Sequence, residues 1–295
     1  MLWLLLAMGA GIAFATSSIT DKVLLRDIKS SSTVNYLGGS MSAIVGIAVL
    51  LLHERPFDPT VAGIGFIIGI LGFAAVGVYL IAMQHEEASR VVPLWTFTDV
   101  GVAVLAFALL HEPASPLLWI SIAIVIVGSV LLESDHRGIL TRKPFVIILM
   151  SIASFTWAFG IILIRRFNST GDPITLWAWQ LLGTGTCGLV LLIANRARVQ
   201  REVRTIRMFL CIVVSQTTEM LGIFFKFIAL SFAFAAPIQV VTDASSYIFV
   251  FIATLICSRW FPKFLREEIN RATIGRKGIA LALITVGLVI ASSAG

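Results

Sequence analysis

From Val61 to Met83 no residue carries a charge. Crossing the hydrocarbon core of a bilayer takes about 20 apolar residues in an α-helix. This stretch therefore predicts a membrane span, and the rest of the chain repeats it. Helices are expected over about Leu2–Leu24, Thr33–Leu52, Val61–Met83, Ala88–Leu110, Pro116–Leu132, Pro144–Ile164, Pro173–Ala194, Met208–Leu230, Phe234–Cys257 and Gly278–Ala291. Over 295 residues, 58% are hydrophobic and 13% are charged, about half the charge of an ordinary soluble domain, near 25%. A soluble core cannot absorb that much apolar sequence. The alternating pattern of an outer-membrane barrel is absent, so an all-α integral membrane protein is expected. The first apolar run lacks a basic leader and a clear cleavage site and reads as a retained helix.

Two segments inside these runs match. Pro93-Leu94-Trp95-Thr96-Phe97-Thr98-Asp99 and Pro237-Ile238-Gln239-Val240-Val241-Thr242-Asp243 both run from Pro and an aliphatic residue to Thr-Asp, offset by 144 positions. Thr156-Trp157-Ala158 follows Ala13-Phe14-Ala15, and Arg165 follows Lys22, at an offset of 143. The chain thus divides into residues 1–135 and 143–295, five helices each. An odd number of crossings inserts the second copy upside down. The expected architecture is ten transmembrane helices as two inverted five-helix repeats around a central cavity, with substrate near the midplane.

Charge suggests an orientation. Alternate connections, those after helices 1, 3, 5, 7 and 9, hold 18 Lys/Arg when Lys22 and Arg90 at the adjoining helix ends are counted, against three on the other side (Arg55, Arg165, Arg166). Basic short loops favour the cytoplasm, which puts both termini outside. The net charge of +6 then faces anionic headgroups. Basic residues dispersed over turns between spans do not form a nucleic-acid surface.

Ala88-Ser89-Arg90-Val91-Val92-Pro93, His111-Glu112 and Gly128-Ser129-Val130-Leu131-Leu132 resemble the EamA-type module of the drug/metabolite transporter superfamily. Ala235-Ala236-Pro237 and Gly287-Leu288-Val289 resemble the same module again. The resemblance implies two tandem modules, a central cavity and export of amino acids or other metabolites. This chain departs from it in lacking a second counterpart of Glu112 and in a longer last loop. The family is commonly drawn with cytoplasmic termini, opposite to the charge count.

A carboxylate in hydrocarbon is costly and points to function. Asp99 and Asp243 are expected either to face a wet cavity, binding a cation or exchanging a proton, or to pin helix packing through a polar neighbour. Glu219 and Lys226 share a helix face, separated by about 10.5 Å along the axis. That distance suits the two ends of a zwitterion, or pairing with the aspartates, although Lys226 could instead snorkel to the interface. Gln216 and Gln239, with Gln180 and Asn35, could orient a ligand or glue helices. Trp95, Trp157 and Trp179, with Trp177, offer apolar walls, whereas Trp3, Trp119 and Trp260 suit an interfacial belt. Pro93 and Pro237 read as hinges or as ordinary first-turn prolines. Asp21 and Lys22 read as an interfacial pair. Cys187, Cys211 and Cys257 read as small packing residues. His53, His85, His111 and His136 lie in turns without metal-ligand spacing, and His85-Glu86-Glu87 reads as a solvated turn.

No nucleophile, phosphate loop or metal motif is present, and no cofactor is expected. The function expected is secondary active transport, in the export direction, of a small polar or amphipathic metabolite such as an amino acid or derivative. The partners are that substrate, membrane lipid and, where coupling exists, protons; the protein is expected to sit in the cell inner membrane and to work as a monomer. A facilitative exchanger or importer and a non-transporting scaffold or receptor are the alternatives.

Overall fold

The computed structural model describes residues 2–28, 30–85, 91–113, 115–133, 144–168, 171–203, 205–260 and 271–294. These residues are helical, with no strand among them. The helices are α1 (Leu2–Asp27), α2 (Ser31–Leu52), α3 (Pro59–His85), α4 (Phe97–Leu105), α5 (Pro116–Glu133), α6 (Pro144–Asn168), α7 (Pro173–Ala194), α8 (Ile206–Ala229), α9 (Ala235–Trp260) and α10 (Arg271–Ala294). Proline opens α3, α5, α6 and α7. Its fixed φ suits the first turn, where its missing N–H has no acceptor in any case. Six helices, α1 to α3 and α6 to α8, are long and apolar enough to cross a membrane. Shorter apolar stretches cover 94–110, 116–131 and 278–293, and α9 adds 26 helical residues. The protein is a multi-pass membrane protein.

Four expectations need correction. The fourth span is three pieces: a 3-10 turn at Val92–Thr96, then α4, then a π turn at Ala106–Leu110. Pro93 falls in the opening 3-10 turn, and His111, at φ 57°, ends the span in the left-handed region. Helix α6 runs on to Asn168, so Arg165 and Arg166 belong to it rather than follow it. The basic stretch between α7 and α8 holds a short helix, Arg196–Glu202. Finally, α10 begins at Arg271, which shortens the last loop. Glu86, Glu87, Arg90 and His136 lie outside the described residues, as do the side chains of Pro93, Cys257 and Trp260.

Packing pairs the helices across the two halves of the chain. Helix α2 lies along α7 and α5 along α10; α1 contacts α8 and α9, while α6 contacts α3 and α4. Shifting each label by five turns α1–α8 into α6–α3, and α1–α9 into α6–α4. The pairing is close because small residues meet where helices cross. A Cβ built on Gly185 would run into the backbone of Ala43, and one on Gly188 into that of Gly39 and Ser40. Outward-facing residues such as Ile44, Leu51, Leu52 and Ile193 stay exposed, the expected state of a lipid-facing surface.

Candidate functional site

A central cavity of about 190 Å³ is lined by α1, α2, α3, α6, α7, α8 and α9. Its lining on α1 comes from Phe14 to Asp21, on α2 from Val34 to Ser42, and on α3 from Gly72 to Leu80. These are the late part of α1, the early part of α2 and the late part of α3. The cavity therefore extends from mid-span toward the end where the heavily basic connections lie.

Lys226 sits at the inner end, with a relative exposure of 2%. Its Nζ donates to Gln239 Oε1 at 2.7 Å, and Gln239 Nε2 donates to Asp243 Oδ2 at 2.9 Å. One carboxamide thus presents its oxygen to a cation and its NH₂ to an anion. Gln239 and Asp243 are four residues apart on α9, hence on one helix face. The ammonium also stands over the rings of Phe14 (5.3 Å) and Trp157 (5.9 Å), where the π faces attract a cation. Lys226 is deeply buried rather than snorkelling.

Asp99 behaves differently from its twin. It is fully buried in the first turn of α4 and does not line the cavity. Its carboxyl lies beside that of Asp243 and close to Gln239 and Lys226, with no N–H or O–H of the described residues well placed to donate to either oxygen. Thr98 Oγ1 is likewise unpartnered, whereas Thr242 Oγ1 donates to Ile238 O at 2.8 Å.

A second polar group lies toward the mouth. Ser215 Oγ donates to Asp21 Oδ1 at 2.5 Å. That commits its one hydroxyl proton, so Ser17 is the donor in the 3.1 Å Ser17–Ser215 contact. Gln216 Nε2 donates to Glu219 Oε2 at 3.3 Å. Ser215 and Glu219 share a face of α8 by their i, i+4 spacing. Gly38 lets the Gln216 carboxamide approach, since a Cβ there would overlap Gln216 Oε1. Asp21 is therefore a cavity residue, not an interfacial one; the side chain of Lys22 lies outside the described residues. The signal for Asp21 was present in the sequence: Phe14, Ser17, Ser18 and Asp21 follow helical spacing on an otherwise apolar helix.

Trp95 and Trp157 line the cavity, and Trp95 meets Tyr79 edge-on at 5.2 Å. Trp179 does not; it packs edge-to-face on Phe57 at 5.8 Å. Trp177 packs at a tilt against Phe224, 4.9 Å between centroids, and does not line the cavity. Gln180 lines the cavity, donating to Thr184 Oγ1 while its Oε1 finds no partner among the described residues. Pro237 occupies the first turn of α9, where its missing N–H is harmless.

The opposite end is stitched shut. Arg165 Nε donates to Glu112 Oε1 at 2.7 Å and Arg165 Nη1 to Leu230 O at 2.8 Å. Glu112 Oε2 accepts the Ala235 N–H at 2.8 Å, and Asn168 Nδ2 donates to Phe227 O at 2.6 Å. The backbone groups ending α8 and opening α9 lack partners within their own helices, and Phe227 O has besides Asn168 only a longer bond from Ser231 Oγ at 3.4 Å among the described residues. Side chains from α6 and from the turn before α5 satisfy them and pin the α8–α9 corner. No local sequence signal links Glu112 to Arg165, 53 positions apart.

Residues 1–134 match the EamA-like transporter family. No curated protein matches the chain. A solved crystal structure of another protein superposes with a TM-score of 0.70 at 15% identity, covering 98% of this chain and 96% of the other. At that identity the likeness is one of fold alone. The match over the first 134 residues is consistent with a membrane transporter of the EamA type within the drug/metabolite superfamily.

Proposed function

We propose that the protein is a secondary active transporter that exports a small polar or amphipathic metabolite by alternating access. The observation that carries this reading is a mid-span cavity with titratable walls, reaching toward one end of the bundle, with a polar strut across the other. Residues 1–135 and 143–295 act as the two inverted repeats. Pro93 and Pro237 open corresponding segments and serve as hinges between outward and inward forms. With the termini outside the cell membrane, the cavity faces the cytoplasm and the Glu112–Arg165 strut is the closed outer gate. Substrate engages Glu219 and the aromatic walls, and Asp99, Asp243 or Glu219 takes or releases a proton.

The decisive measurement is flux in proteoliposomes driven by a pH gradient. Asp99→Asn, Asp243→Asn and Glu219→Gln are each expected to weaken the gradient dependence. If all three leave it intact, proton coupling is wrong. Exchange without protons is then the remaining mode, favoured by the link from Lys226 through Gln239 to Asp243, which balances charge internally.

A further inference from the structure

The two polar groups of the cavity differ in sign. At the inner end Lys226 faces Asp243 through Gln239, so cation and anion offset each other. Toward the mouth, Asp21 and Glu219 are two carboxylates whose bonds come from a serine and a carboxamide, both neutral donors. Of the basic residues among those described, only Lys226 lines the cavity. It lies two helical turns from Glu219, about 10.5 Å along the axis. Among the described residues, the outer group thus sets two carboxyl groups together with no cation bonded to either. A second feature points independently to a ligand: Gln180, 2% exposed, keeps an unpartnered carbonyl oxygen in the wall of the same cavity. A buried acceptor is expected to find a donor.

We propose that this cavity selects a small amphipathic monoamine, with its ammonium between Asp21 and Glu219, its apolar body against Trp95 and Trp157, and a donor group on that body meeting Gln180 Oε1. This narrows the substrate of the transport reading above and rests on it. The chemistry disfavours α-amino acids. Their carboxylate is two bonds from the ammonium and would be forced against Asp21 and Glu219, too far from Lys226 to be neutralised there. Like charges at contact distance in a poorly solvated cavity repel strongly. A cavity of about 190 Å³ is also smaller than the roughly 300–1,000 Å³ typical of sites for drug-sized ligands.

The test is a charge series on one skeleton, with binding measured calorimetrically on the purified full chain in nanodiscs. Tyramine carries the ammonium and a phenolic donor, phenethylamine the ammonium alone, tyrosine both charges, and 4-hydroxyphenylacetate only the anion. Tyramine is expected to bind best, phenethylamine a few-fold weaker, tyrosine at least tenfold weaker, and the anion not measurably. The few-fold gap between the two amines should vanish in Gln180→Met. Asp21→Asn and Glu219→Gln should each weaken tyramine at least tenfold, while Asp21→Glu retains it; thermal unfolding checks that each variant is folded. Should a variant fail to fold, the charge series on the unaltered protein decides alone. Equal or tighter binding of tyrosine or the anion, no binding by any member, or full affinity in both folded neutral variants overturns the proposal. Flux separates the two readings: tyramine that binds but is never moved defeats transport and leaves the site, whereas movement of the anion but not the amine does the reverse.

Discussion

The two halves of the chain carry the same Pro-to-Asp segment and build different things from it. In the second half, Asp243 lines the cavity and is bonded by Gln239, four residues earlier. In the first half the position matching Gln239 is Trp95, which lines the cavity as an apolar wall. Asp99 is fully buried outside the cavity lining, beside the Asp243 carboxyl. The positions matching Glu219 and Lys226 in α8 are Ala75 and Ala82 in α3. The two halves thus keep corresponding helix pairings, while at these matched positions the polar side chains stand in the second half and Asp21 is the acid that the first half gives to the cavity. A symmetric backbone sets where side chains can meet, and each half's substitutions decide what meets there.

Removing the cation from the second half should have the largest effect. Lys226→Ala leaves Asp243 and Asp99 buried with no compensating charge, which is expected to destabilise by about 3–5 kcal/mol. Thermal unfolding in detergent reads this, and the double change Lys226→Met with Asp243→Asn should recover much of it. If the single variant melts like the parent, the inner pair is not the centre of the asymmetry.

The strut at the closed end comes next. Arg165→Met leaves Glu112 buried and two carbonyl or carboxylate acceptors without their donor, an expected loss of roughly 2 kcal/mol. Its repeat counterpart is Lys22. A comparable loss from Lys22→Met would make the two ends equivalent and weaken the contrast drawn between the halves.

The helix caps test the same contrast on a smaller scale. Asp172 caps α7, accepting from Thr175 N at 2.9 Å, Thr175 Oγ1 at 2.6 Å and His53 Nε2 at 2.7 Å. In the matching place before α2, Ser30 makes no side-chain cap bond. Asp172→Ala should cost about 1 kcal/mol, and Ser30→Ala much less. Burial alone would push the Asp172 carboxyl up, but the Thr175 hydroxyl and N–H and then His53 outweigh it and hold it below its ordinary value of 3.8. A lowered native value means that the stabilisation is complete above the unfolded-state value and is lost as pH falls from there through the native one. Acid unfolding of Asp172→Ala should therefore differ from the parent at neutral pH and converge with it below about pH 3.8.

Asp99→Asn is expected to have the smallest effect on stability, and one of opposite sign. Asp99 stands beside the Asp243 carboxyl, and two neighbouring buried carboxyls disfavour each other's charge, so the neutral amide should raise the melting temperature slightly or leave it unchanged. Asp243→Asn, which loosens the Lys226–Gln239 chain, should lower it. Matching responses from the two aspartates would show the twins to be equivalent after all.

Much of this architecture is legible in the amino-acid sequence. Apolar length sets the helices, because a backbone in hydrocarbon must satisfy its hydrogen bonds within the segment. Prolines mark four helix starts, where a missing N–H costs nothing. Glu219, Asp243, Lys226, Gln216, Trp95 and Trp157 stand out as polar or aromatic residues in apolar runs, and all six line the cavity. The three-piece fourth span is not legible, since the end of a helix depends on its neighbours as well as on its own residues.

The sequence by itself determined that the chain is built of apolar helices, several long enough to cross a membrane, and that charge is rare within them. These follow from local hydrophobicity and spacing. Only the tertiary structure decided that Asp21 belongs to the cavity and Trp179 does not, that Asp243 lines it and Asp99 does not, and that Glu112 meets Arg165. Each of these depends on which face of a helix meets which neighbour. Lateral packing sets that, and pairs 53 or 194 positions apart leave no mark in either local stretch.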